Sequence, residues 1–257
     1  MPALFIGHGN PMNAVEDNAN SKLWREIAAR LPEPRAILAI SAHWQTSGVA
    51  VTAMAQPETI HDFGGFPREL FEFQYPAPGD PQLAERVKNL LAPISVAADQ
   101  DWGLDHGAWS VLAHLFPEAD IPVVQLSLDG TRPPAWHYDL AIRLRSLRDE
   151  GVLILGSGNV VHNLGRMDWS RPEAAFDWAD RFDAKVRQAL LDGDHTSLVS
   201  LVSGSSMTED ARLAVPTLEH YLPMLYVAAQ RREDEPVELF NDRIEYGSIG
   251  MLSCRVG

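Results

Sequence analysis

The chain predicts an α/β fold, a single-domain three-layer sandwich with a mostly parallel central sheet. Three observations predict it. Short apolar runs recur along the 257 residues, each of strand rather than helix length. Stretches of helical periodicity separate them, the order expected of βαβ units. Three of the runs end in turns that carry a histidine, and α/β proteins place their sites just past strand ends.

Residues 3–6 read as a first strand that breaks at Gly7-His8-Gly9. Trp24, Ile27, Ala28 and Leu31 recur at helical spacing, and Pro32 and Pro34 stop that helix. Residues 36–42 form a second strand, which makes a β-α-β unit with a right-handed crossover. Val49 to Met54 reads as a third strand. Residues 56–81 then break the pattern with Pro, Gly and aromatic side chains. A long irregular segment in a compact domain is usually a binding loop or lid. Its Phe63, Phe66, Phe71, Phe73 and Tyr75 either wall a flat ligand or anchor the loop to the core.

Pro81 to Leu91 is helical in pattern, and an apolar helix follows Asp105-His106-Gly107. Pro122 to Leu128 reads as a strand and Trp136 to Arg148 as an amphipathic helix. Val152 to Leu155 is a strand with the turn Gly156-Ser157-Gly158-Asn159 behind it. Trp178 to Leu191 is helical, and Leu198 to Val202 extends that region. Pro216 to Ala229 reads as one apolar helix holding His220, and Ile244 to Val256 as a final strand pair or extended end.

The composition suits one soluble domain, and no linker divides it. A net charge of -14 disfavours nucleic acid and anionic membranes as partners. The lone Cys254 excludes an internal disulfide and reads as a core residue of the last strand. No apolar stretch approaches the ~18 residues of a membrane span. No basic region precedes the first apolar run, so no signal peptide is expected and the expected compartment is cytoplasmic.

The chemistry-bearing residues are histidines. His8 lies between two glycines, and His43 ends Ser41-Ala42-His43-Trp44. Glycine permits a tight turn and a close backbone approach, which exposes the ring to a cleft. Neutral imidazoles gathered at one mouth from distant segments suggest a metal. His162 follows the Gly-Ser-Gly turn and suits either metal binding or proton transfer. That turn is neither a P-loop nor a full dinucleotide fingerprint. Asp105 can orient His106, cap the next helix, or do both. Glu219 is a further potential ligand. His114, His137 and His195 read as surface residues, and His61 as a substrate contact. Ser41 and Ser157 lack a Gly-x-Ser-x-Gly elbow. The histidines alone also accommodate a zinc-dependent hydrolase, or a metal-binding protein without turnover.

Several blocks in order then carry a resemblance. Gly7-His8-Gly9-Asn10-Pro11-Met12, Ser41-Ala42-His43-Trp44, His61-Asp62-Phe63-Gly64-Gly65-Phe66-Pro67, Gly103-Leu104-Asp105-His106-Gly107, Gly158-Asn159-Val160-Val161-His162-Asn163 and Glu219-His220-Tyr221-Leu222-Pro223 resemble the DODA-type extradiol aromatic ring-opening dioxygenases. These belong to the LigB-like class III extradiol superfamily. The resemblance implies a metal at strand ends held by His8, His43 and His220. It implies that His162 is an acid/base, in this branch sometimes counted as a fourth ligand, and that His106 is a further catalytic histidine. His61, Phe63, Phe66 and Tyr221 are then expected to meet the substrate. The implied reaction is ring opening of a catechol such as L-DOPA by O2, at the 4,5 position, to a semialdehyde. Fe(II) is the expected cofactor, and Zn(II) also suits the site. The expected partners are the small catechol and O2, with homo-oligomerisation left open.

Overall fold

The structure is a computed structural model that describes the backbone of residues 1–257 and every side chain but that of Ser206. Its central sheet has six strands: β1 (Ala3–Gly7), β2 (Ala36–Ser41), β3 (Val123–Gln125), β4 (Val152–Gly158), β5 (Val237–Phe240) and β6 (Ser253–Val256). Their spatial order is β3-β2-β4-β1-β6-β5. The first four are mutually parallel, and β6 runs antiparallel to both β1 and β5.

Alternation along these strands builds two cores. Phe5, Leu38, Ile40 and Ile154 face one, while Leu4, Ile6, Ile37, Leu153 and Leu155 face the other. A sheet buried on both faces needs apolar residues on both, which is why its strands read as continuous runs. Helices α1 (Ala19–Ala28) and α3 (His106–Leu115) cover the second core. Helices α2 (Pro81–Leu91), α4 (Pro134–Ile142), α5 (Asp177–Asp192) and α6 (Leu222–Ala228) cover the first. This is the expected three-layer sandwich with a mostly parallel sheet.

The first two strands are parallel as expected, with β4 hydrogen-bonded between them. Several expectations are corrected. Val49–Thr52 is a strand, but it pairs with Val96–Asp99 outside the central sheet. The helix expected over Pro216 to Ala229 begins only at Leu222, with Pro223 in its first turn. His220 therefore sits in the turn before a helix, not on one. His137 is fully buried rather than on the surface. Cys254 is buried in β6, and burial pushes its thiol up to about 12, so it is an inert core group. Among the described residues no helix is long and apolar enough to cross a membrane.

Candidate active site

The strand ends converge on one cavity of about 440 Å³. His8 leaves β1, His43 leaves β2, and His162 follows β4, while His106 opens α3 and His220 precedes α6. All five line that cavity. Glycines make the convergence physically allowed. A Cβ at Gly158 would lie 2.2 Å from the His220 carbonyl oxygen, and one at Gly107 would lie 2.7 Å from the His43 ring. The Gly-Ser-Gly segment thus lets the His220 turn press against β4. Asn159 N–H donates to the His220 carbonyl at 2.8 Å and holds that turn.

The ligand nitrogens of His8, His43 and His220 lie within 4.8 Å of one another. The Nε2 atoms of His8 and His43 are 3.2 Å apart. Two nitrogens of a tetrahedral site with ~2.05 Å bonds lie about 3.3 Å apart. Hydrogen-bond partners assign the protons. Ser157 Oγ donates to the Gly107 carbonyl, so toward His8 Nδ1, 3.0 Å away, it can only accept. His8 therefore carries its proton on Nδ1 and presents a bare Nε2. Glu219 Oε1 lies 3.3 Å from His220 Nδ1 and gives that ring the same polarity. Asp62 Oδ2 lies 3.8 Å from His43 Nδ1, beyond hydrogen-bond range.

Burial and the neighbouring rings hold His8 and His220 well below the ordinary imidazole range. Burial pushes His43 down to about 4. All three are neutral near pH 7. Three neutral imidazoles gathered at one point can offer their lone pairs to a cation there. The donor set fits a divalent transition ion of the zinc or iron kind. Ser157 and Glu219 are the outer partners that such a site needs to hold its tautomers.

His162 is not a member of that group. Its ring stacks on His220 with centroids 3.5 Å apart and planes 6° apart. A stacked ring lies beside its neighbour's ligand axis rather than along it. The fourth-ligand expectation is therefore not met by this geometry. Burial pushes His162 down to about 4, so it is a neutral proton acceptor at pH 7.

Asp62, next to His61 in the chain, joins the cavity wall although no sequence expectation placed it there. Its Oδ1 accepts the backbone N–H of His106 at 2.9 Å and also lies 2.9 Å from that ring's Nδ1, off the line of a good hydrogen bond. Burial raises the Asp62 carboxyl, but the His106 and His43 contacts outweigh this and hold it below the usual carboxylate range. Asp105 caps α3 through the Ala108 N–H and binds Ser41 and Gln125, so of its two expected roles it takes the cap. Ser157 and Glu219, weighed as nucleophile and ligand, are instead partners of His8 and His220.

The aromatic loop divides between the cavity and the core. Phe63 and Phe66 line the cavity in a T-shaped pair 5.3 Å apart, and Phe63 also meets the His106 ring at 5.4 Å. Phe73 stacks on buried Trp109, and Tyr75 is buried with its hydroxyl on the Phe116 carbonyl. His61 does not line the cavity. Its Nε2 donates to the Phe73 carbonyl at 2.9 Å, and its ring supports Phe63 from behind. Tyr221 is a correction: it is 0 % exposed, and its hydroxyl donates to the Leu198 carbonyl inside the core. Trp169, Glu245 and Tyr246 complete the cavity. They come from segments with no histidine motif, which is why the sequence did not mark them.

Residues 2–257 match the family described as the catalytic LigB subunit of aromatic ring-opening dioxygenase. The chain belongs to that family. It is 48% identical to the 4,5-DOPA dioxygenase extradiol of Escherichia coli (strain K12), over 100% of this chain and 95% of that one. It is 40% identical to the Beta vulgaris protein of the same name, over 97% and 96%. The crystal structure of an uncharacterized protein from Escherichia coli K12 superposes with a TM-score of 0.87 at 43% identity, covering 100% of both chains. The chain is an extradiol, ring-opening dioxygenase, and its substrates are a small aromatic compound and O2. The family's metal dependence matches the three-histidine cluster.

Proposed function

We propose that residues 1–257 act as one catalytic domain that opens a catechol ring of the L-DOPA type, with Fe(II) held by His8, His43 and His220. The observation that carries this reading is the set of three imidazoles whose ligand nitrogens lie within 4.8 Å of one another in an aromatic-walled cavity. When bound, the iron supplies Lewis-acid and O2 chemistry to the catechol's two oxygens. Zn(II) fits the same donors and is the expected occupant when iron is scarce.

His162 takes the proton of a catechol hydroxyl and later returns it. Neutral at pH 7, it can accept, and its partial exposure to the cavity puts it beside the reacting ring. His106, with its backbone held by Asp62, presents its ring between His43 and Phe63 and orients the oxygen-bearing edge of the substrate. Phe63 and Phe66 wall the ring and exclude water. The similarly named relatives from Escherichia coli and Beta vulgaris support L-DOPA as the substrate and 4,5 as the bond.

The test is anaerobic loading with Fe(II), followed by L-DOPA and O2. The expected result is one O2 consumed per ring and a yellow semialdehyde absorbance. No oxygen uptake with any of a panel of catechols, together with ester or amide hydrolysis by the zinc form, would overturn it.

A further inference from the structure

Beside the histidine cavity lies a larger cleft of about 820 Å³, and the two share Asn10, Glu245 and Tyr246 in their walls. Arg243 and Glu245 both line this cleft. Among the described residues neither side chain has an ion-pair partner within 4.0 Å. Each meets neutral amides instead. Asn20 Nδ2 donates to Glu245 Oε1 at 3.0 Å, while Arg243 Nη2 donates to Asn20 Oδ1 at 2.7 Å and to Asn241 Oδ1 at 2.9 Å. One buried amide thus holds an anion on its nitrogen side and a cation on its oxygen side.

The surroundings sharpen the pair. No Lys or Arg lines the histidine cavity, so a carboxylate fixed directly to the ring meets no cation there. The neighbouring cleft is otherwise acidic, with Glu16, Glu173 and Asp180, and Arg243 is its only cation among the described residues. Near Glu245 the rings of Trp169 and Tyr246 lie 5.0 Å apart, a surface that suits an ammonium group. Tyr246 is held in the left-handed region, φ 51°, by hydrogen bonds to Pro172 and Asp168. A non-glycine residue kept there marks a wall fixed by its surroundings.

We propose that Glu245 and Arg243, spaced by Asn20, read the α-ammonium and α-carboxylate of the substrate's side arm. The preferred substrate class is then a catechol bearing an α-amino acid, with its ring at the histidines and its zwitterion at the junction of the two cavities. This rests on the ring-opening reading above. Glu245 and Arg243 are specificity residues in it, distant from the bond that breaks.

The iron-loaded protein is offered L-DOPA, dopamine, 3-(3,4-dihydroxyphenyl)propionate and 4-ethylcatechol. The expected kcat/KM is highest for L-DOPA, with loss of either charge costing about tenfold, the range of one charged hydrogen bond at a partly exposed site. Glu245→Gln is expected to shrink the L-DOPA to dihydroxyphenylpropionate ratio by about tenfold, and Arg243→Met the L-DOPA to dopamine ratio, on the same grounds. Equal kcat/KM across the four catechols overturns the proposal, as does a uniform loss in both variants. Calorimetry on the metal-free protein separates this from the chemistry. There L-tyrosine is expected to bind more tightly than tyramine or 3-(4-hydroxyphenyl)propionate. If no catechol is cleaved, the ring-opening reading fails, and the calorimetric order alone decides the cradle: L-tyrosine binding no tighter than the other two overturns it.

Discussion

His137 and His8 are buried to nearly the same degree, at 0 % and 2 % exposure, but their ring nitrogens are used differently. His137, on α4, has the Asp129 carbonyl 3.2 Å from Nε2 and the Tyr226 hydroxyl 3.0 Å from Nδ1. A carbonyl only accepts, so Nε2 donates and Nδ1 accepts from the tyrosine. Both nitrogens are satisfied within the protein. His8 spends Nδ1 on Ser157, and its Nε2 meets the Nε2 of His43 at 3.2 Å, a contact with another imidazole of the cavity rather than with the scaffold. Buried polar groups are normally paired, so an imidazole that spends one nitrogen on the fold and aims the other at a second imidazole is built for a ligand. What the second nitrogen meets, rather than burial, separates the site from the scaffold.

The largest effect that tests this contrast is loss of the ligands themselves. His8→Ala, His43→Ala and His220→Ala are each expected to abolish stoichiometric metal binding and to lower activity by at least about a thousandfold, because a three-ligand site loses a corner. Metal content of the purified variants measures it. Full metal occupancy in His220→Ala would remove that residue from the site.

His162 supplies the next largest effect. His162→Ala is expected to keep its metal while kcat falls by about 10²–10⁴, the usual contribution of a positioned acid/base. Metal analysis separates the roles: loss of the ion in this variant would make His162 a ligand despite its stacking on His220.

The outer partners come third. Glu219→Gln and Ser157→Ala leave all three imidazoles present but loosen the tautomers of His220 and His8. The expected cost is about 10–100-fold in metal affinity, read by competition with a chelator. Affinity unchanged in both would mean that the rings hold their orientation by packing alone.

Much of this contrast was legible in the sequence, and the illegible part has physical causes. His8 and His43 stand at the ends of strands whose residues are apolar on both faces, and local pattern suffices to place them. Strand order is a long-range property, so the insertion of β4 between β1 and β2 left no local mark. His220 was hidden in an apolar stretch that reads as one helix. Pro223 was the available signal, since proline favours the first turn of a helix and put the start at Leu222. Tyr221 was misplaced for the same reason: one residue along a turn reverses which side chain meets the cavity and which the core. Asp62 acts through contacts with His43 and His106 that only the folded chain brings together, whereas Glu219 adjoins His220 in sequence and only its role as a hydrogen-bond partner needed the structure. The Glu245–Tyr246 wall comes from near the C-terminal end, far from any histidine motif.

The smallest effect concerns the scaffold histidine, and it should leave catalysis alone. His137→Leu removes partners from the Tyr226 hydroxyl and the Asp129 carbonyl. The expected cost is about 1–3 kcal/mol of stability at pH 7, the penalty for unsatisfied buried groups. The same residue makes the wild type sensitive to acid. Burial pushes His137 down from 6.5 to about 4. Between those values the unfolded chain binds a proton that the native state refuses, so native stability falls as pH drops through this window. Down to pH 4.5 the loss from this one group is about 2–3 kcal/mol. His137→Leu has no such proton to bind, whereas the site histidines titrate in both proteins and cancel in the difference. The stability gap between wild type and variant, measured by urea unfolding, is therefore expected to narrow or reverse from pH 7 to 4.5. A constant gap would show that His137 charges normally within the fold, and that its two hydrogen bonds do not hold it neutral.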